Sequence, residues 1–175
     1  MSEVRELIRE QIPALRRYAR ALVRDRDAAD DLVQDTLVRA INAEHQWQPG
    51  TNLRAWLFTI LHNVYVGDRR KLARRPSVVS IDAEEWRLET PSNQMPSVQL
   101  GELDRAISTL PEHQRMTLLL VGLQGMAYEE VAQIMGVPLG TVRSRLSRAR
   151  HSLQELLEAS RAVTGEAGSE SETAA

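Results

Sequence analysis

Apolar residues recur along this chain at three- and four-residue intervals, the spacing of one helix face, and few runs alternate at period two. Leu7, Ile8, Ile12, Leu15, Tyr18, Ala19 and Leu22 predict a first helix, which Pro13 should interrupt or kink. Ala29, Leu32, Val33, Thr36, Leu37 and Ala40 predict a second, with Asp27 as its N-cap and Asp30 three residues on. Residues 44–53 contain Pro49-Gly50 and read as a loop. A third helix runs from about Leu53 to Leu72 through Trp56, Leu57, Ile60, Leu61 and Val64. Residues 76 to about 98 hold prolines at 76, 91 and 96 and little apolar periodicity, as a partly extended linker does. Periodicity resumes near Leu100 and ends near Ala159; the Ala-, Ser-, Glu- and Gly-rich residues 160–175 are too polar to bury a face and are expected to be disordered. The pattern predicts an all-α chain of two small helical domains, 1–75 and 100–159, joined by a flexible linker over 76–99.

The second domain carries the sharpest local signal. Tyr128, Val131, Ala132 and Met135 form one apolar stripe, Gly136 can stop that helix in the left-handed conformation, and Pro138 can open the next. Helix, short turn, helix is the pattern that lays its second helix in a DNA major groove. At about 100° per residue, Val142, Leu146, Ala149, Leu153, Leu156 and Leu157 fall on a core face. Thr141, Ser144, Ser147, Arg148 and His151 fall opposite, with Arg143 and Arg145 at the flanks. Arginine can fork onto guanine and hydroxyls can bond bases or phosphates, although an arginine-rich solvated face would look the same in isolation. Ala127 stands where a serine or threonine would form a capping box with Glu130, so that cap should be missing, at a cost of about 1 kcal/mol.

Composition narrows the chemistry. The 175 residues include no cysteine, and histidines 45, 62, 113 and 151 have no metal-ligand spacing, so neither a metal nor another cofactor is expected. No apolar run approaches the roughly 20 residues of a membrane span and the start of the chain does not read as a signal peptide, which makes the cytoplasm the expected compartment. Net charge is −2, but residues 1–75 carry 14 basic and 10 acidic groups while every later segment is net negative. With basic charge confined to Arg69, Arg70, Lys71, Arg74, Arg75 and the second helix of the motif, free DNA should be bound weakly, and a partner is needed for grip.

Two constellations lie in the first domain. Asp30, Asp31, Gln34 and Asp35 share the polar face of the second helix, either as a solvated acidic face or as a docking surface for a basic partner. Trp47, Trp56, Asn63, Tyr65 and the basic cluster lie close in sequence, as in proteins that stack single-stranded bases on rings while cations track phosphates. Trp56, spaced with Leu57, Ile60 and Leu61, reads as core more readily than as a stacking platform.

Three ordered segments join these pieces: AADDLVQDTLVRA (28–40), NLRAWLFTILHNVYVGDRRK (52–71) and LPEHQRMTLLLVGLQGMAYEEVAQIMGVPLGTVRSRLSRARHSL (110–153). Together they resemble the bacterial extracytoplasmic-function sigma factors, over most of residues 5–158. The resemblance implies a subunit that binds core RNA polymerase and directs it to promoter DNA. It assigns 1–75 to sigma region 2, and Asp30, Asp31, Gln34 and Asp35 to docking on the clamp of the largest polymerase subunit. It assigns the loop 44–53 and the helix after it, including Trp47, Asn63, Arg69, Arg70 and Lys71, to opening and reading the −10 element, Asn63 at an extruded base. It assigns 100–159 to sigma region 4, with Thr141, Arg143, Ser144, Arg145, Ser147 and Arg148 at the −35 element, and Leu118–Leu123 near the polymerase flap. The stretch WQPGTNLRAWLFTIL (47–61) is similar to the general-stress-response members from α-proteobacteria, whereas Ala127 and Gly67 depart from the family pattern. An anti-sigma factor is the implied regulator and a membrane is not an implied partner. A sigma-like decoy that captures an anti-sigma factor, or a stand-alone helix-turn-helix regulator, are the competing readings; no phosphate loop, nucleophile elbow or metal set points to an enzyme.

Overall fold

The computed structural model describes residues 3–74 and 98–169, and every described element is helical. The chain divides into two compact units, one built chiefly on the first three helices and one chiefly on the last four. The linker predicted over 76–99 lies, but for its last two residues, outside the described residues.

In the N-terminal unit α1 (Glu3–Val23), α2 (Arg26–Asn42) and α3 (Leu53–Arg74) pack on one another. Leu15, Tyr18 and Leu22 of α1 and Leu57, Phe58, Leu61 and Val64 of α3 are almost wholly buried. The Tyr18 and Phe58 rings meet edge to face, 5.4 Å between centroids at 72°, a geometry that sets the positive ring edge against the other's π face. Thr36 is completely buried on α2, and its hydroxyl donates to the Leu32 carbonyl at 2.7 Å, so no polar group is stranded there. Helix α1 runs through Pro13 without interruption. Pro13 is exposed, so the Arg9 carbonyl deprived of a donor faces solvent, where water can satisfy it.

The turn into α2 corrects the predicted cap. The helix begins two residues earlier, and Asp25, not Asp27, is the N-cap: its carboxylate accepts from the Ala28 amide at 2.6 Å. Arg24 just before it takes the left-handed conformation, φ 66°, which turns the chain sharply enough for Asp25 to reach the first turn.

The C-terminal unit contains α4 (Val98–Thr109), α5 (Glu112–Leu118), α6 (Tyr128–Met135) and α7 (Leu139–Ser169). Both α4 and α5 pack on α7. Helix α5 widens into a π turn over Leu119–Leu123, closed where Gln124 N–H donates to the Leu119 carbonyl and Met126 N–H to the Leu120 carbonyl, both at 3.1 Å. Leu110, Met116, Leu120, Val131, Ile134, Val142, Leu146 and Ala149 are buried. Helix α7 continues to Ser169, past the point where disorder was predicted from residue 160; residues 170–175 lie outside the described residues. Extending an existing helix adds one hydrogen bond per residue fixed, so a polar segment can follow a packed one without a face of its own to bury.

Candidate nucleic-acid interface

Helix α6 ends as the glycine requires. Gly136 has φ +63°, Val137 N–H donates to the Ala132 carbonyl at 3.1 Å and Gly136 N–H to the Gln133 carbonyl at 3.3 Å. This is the paired closure of a Schellman motif. Thr141 and Val142 N–H groups then donate to the Pro138 carbonyl at 2.9 and 3.3 Å, which starts α7. At the other end of α6, the Glu130 carboxylate accepts from the Ala127 amide at 2.9 Å. One limb of the capping box therefore forms without a serine or threonine, and only the hydroxyl limb is lost.

The two faces of α7 separate as the spacing predicts. Val142, Leu146 and Ala149 are buried, while Arg143, Ser144, Ser147 and Arg148 are exposed and Thr141 and Arg145 are half-buried at the margins. The Ser144 hydroxyl donates to the Thr141 carbonyl at 3.1 Å, which leaves its lone pairs facing outward as acceptors. Leu156 departs from the predicted core face. It is 39% exposed and lines a groove with Thr109, Leu110, Pro111, Ser152, Glu155 and Ala159.

In the N-terminal unit the acidic face of α2 is real but not uniform. Asp31, Gln34 and Asp35 are exposed, whereas Asp30 is ion-paired with Arg20 of α1 at 3.7 Å. Val38 and Ile41, 57% and 40% exposed, continue that face. The sequence reading missed them, although their signal was present: two large aliphatic residues lie outside the buried stripe.

After α2 the chain makes a short 3-10 turn, Glu44–Gln46. Trp47 follows, half-buried, with its N–H donating to the Glu44 carbonyl at 3.2 Å. Its indole Nε1 is enclosed with no hydrogen-bonding partner among the described residues. Asn52 caps α3 by accepting from the Ala55 amide at 3.0 Å. Along α3, Asn63, Arg69, Arg70 and Lys71 are exposed, and Lys71 pairs with Asp68 at 3.5 Å. Asn63, Arg70 and Arg74 recur at helical spacing and share a face. Tyr65 is buried and is thereby removed from the stacking candidates, and Trp56 is half-buried. A pairing invisible in the sequence ties this region to the start of α1. The Arg5 guanidinium forks onto the Glu44 carboxylate, Nε to Oε2 at 3.0 Å and Nη2 to Oε1 at 2.9 Å. Hydrogen bonding from Arg5 holds the Glu44 carboxyl below its ordinary range, and the same bonds raise Arg5 further.

Among the described residues no cluster could hold a metal ion and no helix is long and apolar enough to cross a membrane. Taken separately, each unit presents groups that suit a polyanion: exposed hydroxyls and guanidinium groups on α7, and exposed cations on α3, which follows the tryptophan loop.

Known proteins are similar to this chain in sequence and in fold. Residues 8–62 match the sequence family described as the sigma2 domain of PhyR, and residues 100–153 match sigma-70, region 4. The chain is 43% identical to the ECF RNA polymerase sigma factor EcfG of Rhodopseudomonas palustris (strain TIE-1), over 88% of this chain and 84% of that protein. Among solved structures it is similar to the sigma factor RpoE in complex with the anti-sigma factor NepR from Bartonella quintana, with TM-score 0.74 and 35% identity over 90% of this chain and 98% of that one. It is also similar to CnrH in complex with the cytosolic domain of CnrY, with TM-score 0.65 and 27% identity over 88% and 86%.

Proposed function

This chain belongs to the extracytoplasmic-function family of RNA polymerase sigma factors, and we propose that it divides promoter reading between its two units. It acts in transcription initiation by binding core RNA polymerase and directing it to promoter DNA. Helix α7 reads the −35 element through Arg143, Ser144, Ser147 and Arg148, with Thr141 and Arg145 at the margins. The 44–53 loop and α3 open and read the −10 element through Trp47, Asn63, Arg69, Arg70 and Lys71. Asp31, Gln34 and Asp35, with Asp30 behind them, dock on a basic surface of the polymerase. The observation that carries this reading is the split of α7: a buried Val142–Leu146–Ala149 face holds the helix while Arg143, Ser144, Ser147 and Arg148 are exposed opposite. Since so few phosphates are neutralised by a chain of net charge −2, polymerase supplies most of the grip on DNA. The chain is not an enzyme on its own; the catalysis belongs to the polymerase, and its place of work is the cytoplasm.

Run-off transcription with core polymerase tests this. A promoter-specific transcript that depends on the chain is expected. Polymerase binding without any promoter-specific transcript would overturn it.

A sigma-like decoy is the second reading, because the match over residues 8–62 is to a sigma2 domain named for PhyR. A decoy has no use for the exposed arginines of α7, and promoter binding by the polymerase complex separates the two. The likeness to a sigma factor held by an anti-sigma factor supports an anti-sigma partner here, and the likeness to EcfG supports membership of the general-stress-response subgroup. Co-purification from the native host checks the first: a chain recovered without such a partner before induction would count against it.

A further inference from the structure

The 44–52 loop is stitched together by short-range bonds. Ala43 N–H reaches Arg39, Gln46 N–H reaches Ala43, Trp47 N–H reaches Glu44 and Thr51 N–H reaches Gln48, all three or four residues apart. Such bonds shape a turn but do not fix where it sits on the rest of the fold. The Arg5–Glu44 fork is of another kind, spanning 39 residues from the first turn of α1. Glu44 is both ends of a linkage: its carboxylate holds Arg5, and its carbonyl accepts the Trp47 N–H at 3.2 Å. A shift of Glu44 must therefore move Trp47. The planar fork makes two parallel bonds in one plane, which constrains direction as well as distance. The Trp47 indole N–H, enclosed without a partner, gains no bond by keeping its place, so the ring's position has to be held by something else.

We infer that Arg5 and Glu44 form a positioning pair, which seats the loop carrying Trp47 for opening of the −10 strand without touching DNA. This rests on the reading that Trp47 acts at the opened strand. With the fork in place, the loop meets DNA already ordered and the ordering cost is met during folding. Without it, the loop keeps its internal turns and loses its seat against α1.

The test uses the full chain with core polymerase on a promoter mapped by run-off transcription. Permanganate reactivity of −10 thymines reports opening, and amide hydrogen exchange of residues 44–50 reports the loop. Arg5→Ala and Glu44→Ala are each expected to lower the opened fraction by about two- to fivefold, the scale of an exposed ion pair. The double alanine variant should be no worse than either single one, because both remove one interaction. The swapped pair, Arg5→Glu with Glu44→Arg, should recover opening and loop protection together. Polymerase affinity and thermal unfolding should change little throughout. Single variants that open like wild type, a double variant whose loss is the product of the singles, or a swap that restores nothing would each overturn the pair. A wild-type chain that binds polymerase and opens no promoter would instead overturn the proposed function.

Discussion

Arg20 of α1 holds the Asp30 carboxylate of α2 at 3.7 Å, so the four acidic-face residues are not equivalent. Asp30 already has a cationic neighbour within the chain, while Asp31 and Asp35 are exposed to solvent, as the proposed docking role requires. Asp31→Ala and Asp35→Ala are expected to weaken core polymerase binding by roughly fivefold each, the effect of an interface-rim charge, and Asp30→Ala by less. The weakening should show mainly as slower association and should shrink at high salt. Stopped-flow association at two ionic strengths measures this; equal losses at positions 30 and 35 would show that Arg20 does not shield Asp30.

On α7, Arg148→Ala should lower discrimination for the preferred −35 sequence by about 1–3 kcal/mol if the guanidinium forks onto a base. Binding of the polymerase complex to promoter variants at the −35 element gives the number. A uniform loss across all sequences would place Arg148 on a phosphate instead.

The half-formed box at the start of α6 invites a gain of stability. Ala127→Ser supplies the missing hydroxyl opposite the Glu130 limb and should stabilise the C-terminal unit by about 1 kcal/mol. Glu130→Ala should destabilise it. Denaturant unfolding of both variants checks the signs.

Phe58 is 1% exposed and meets Tyr18 edge to face. Phe58→Ala should cost about 3–5 kcal/mol, from the lost transfer of the ring and the cavity left behind. Urea unfolding, followed by a signal specific to the N-terminal unit, measures this loss.

Glu44 also sets a pH limit on the loop. Its carboxyl is held below the ordinary 4.5 by Arg5. A depressed carboxylate stabilises the fold at and above its ordinary range, and that contribution disappears as pH falls through the lowered value. Protection of the amides of residues 44–50 against exchange, taken relative to the intrinsic rate at each pH, should therefore hold from neutral pH down to the ordinary carboxylate range and fall only below it. Glu44→Gln should show the lower protection already at neutral pH.

Helix positions and the two faces of α7 were legible because both rest on period, and period survives in one dimension. Val142, Leu146 and Ala149 declare their face by spacing alone. What escaped depends on three dimensions or on close competitors. Asp25 and Asp27 are both good caps two residues apart, and only the left-handed Arg24 decides between them. Tyr65 sits beside cations in sequence but points into the core. Arg5 and Glu44 meet across 39 residues, a separation at which no local pattern can pair two charges. The acidic face was visible as charge, and its unevenness, set by Arg20, was not.

Helix α7 is 31 residues long, so at 1.5 Å per residue it is a rod of about 46 Å. Val163, 71% exposed, stands about 22 Å along the axis from Arg148. That rod is a ruler fixed to the helix-turn-helix. If that end enters the major groove as proposed, a fluorophore carried at position 163 would move with it, and energy transfer to a dye on the promoter would report the angle of entry.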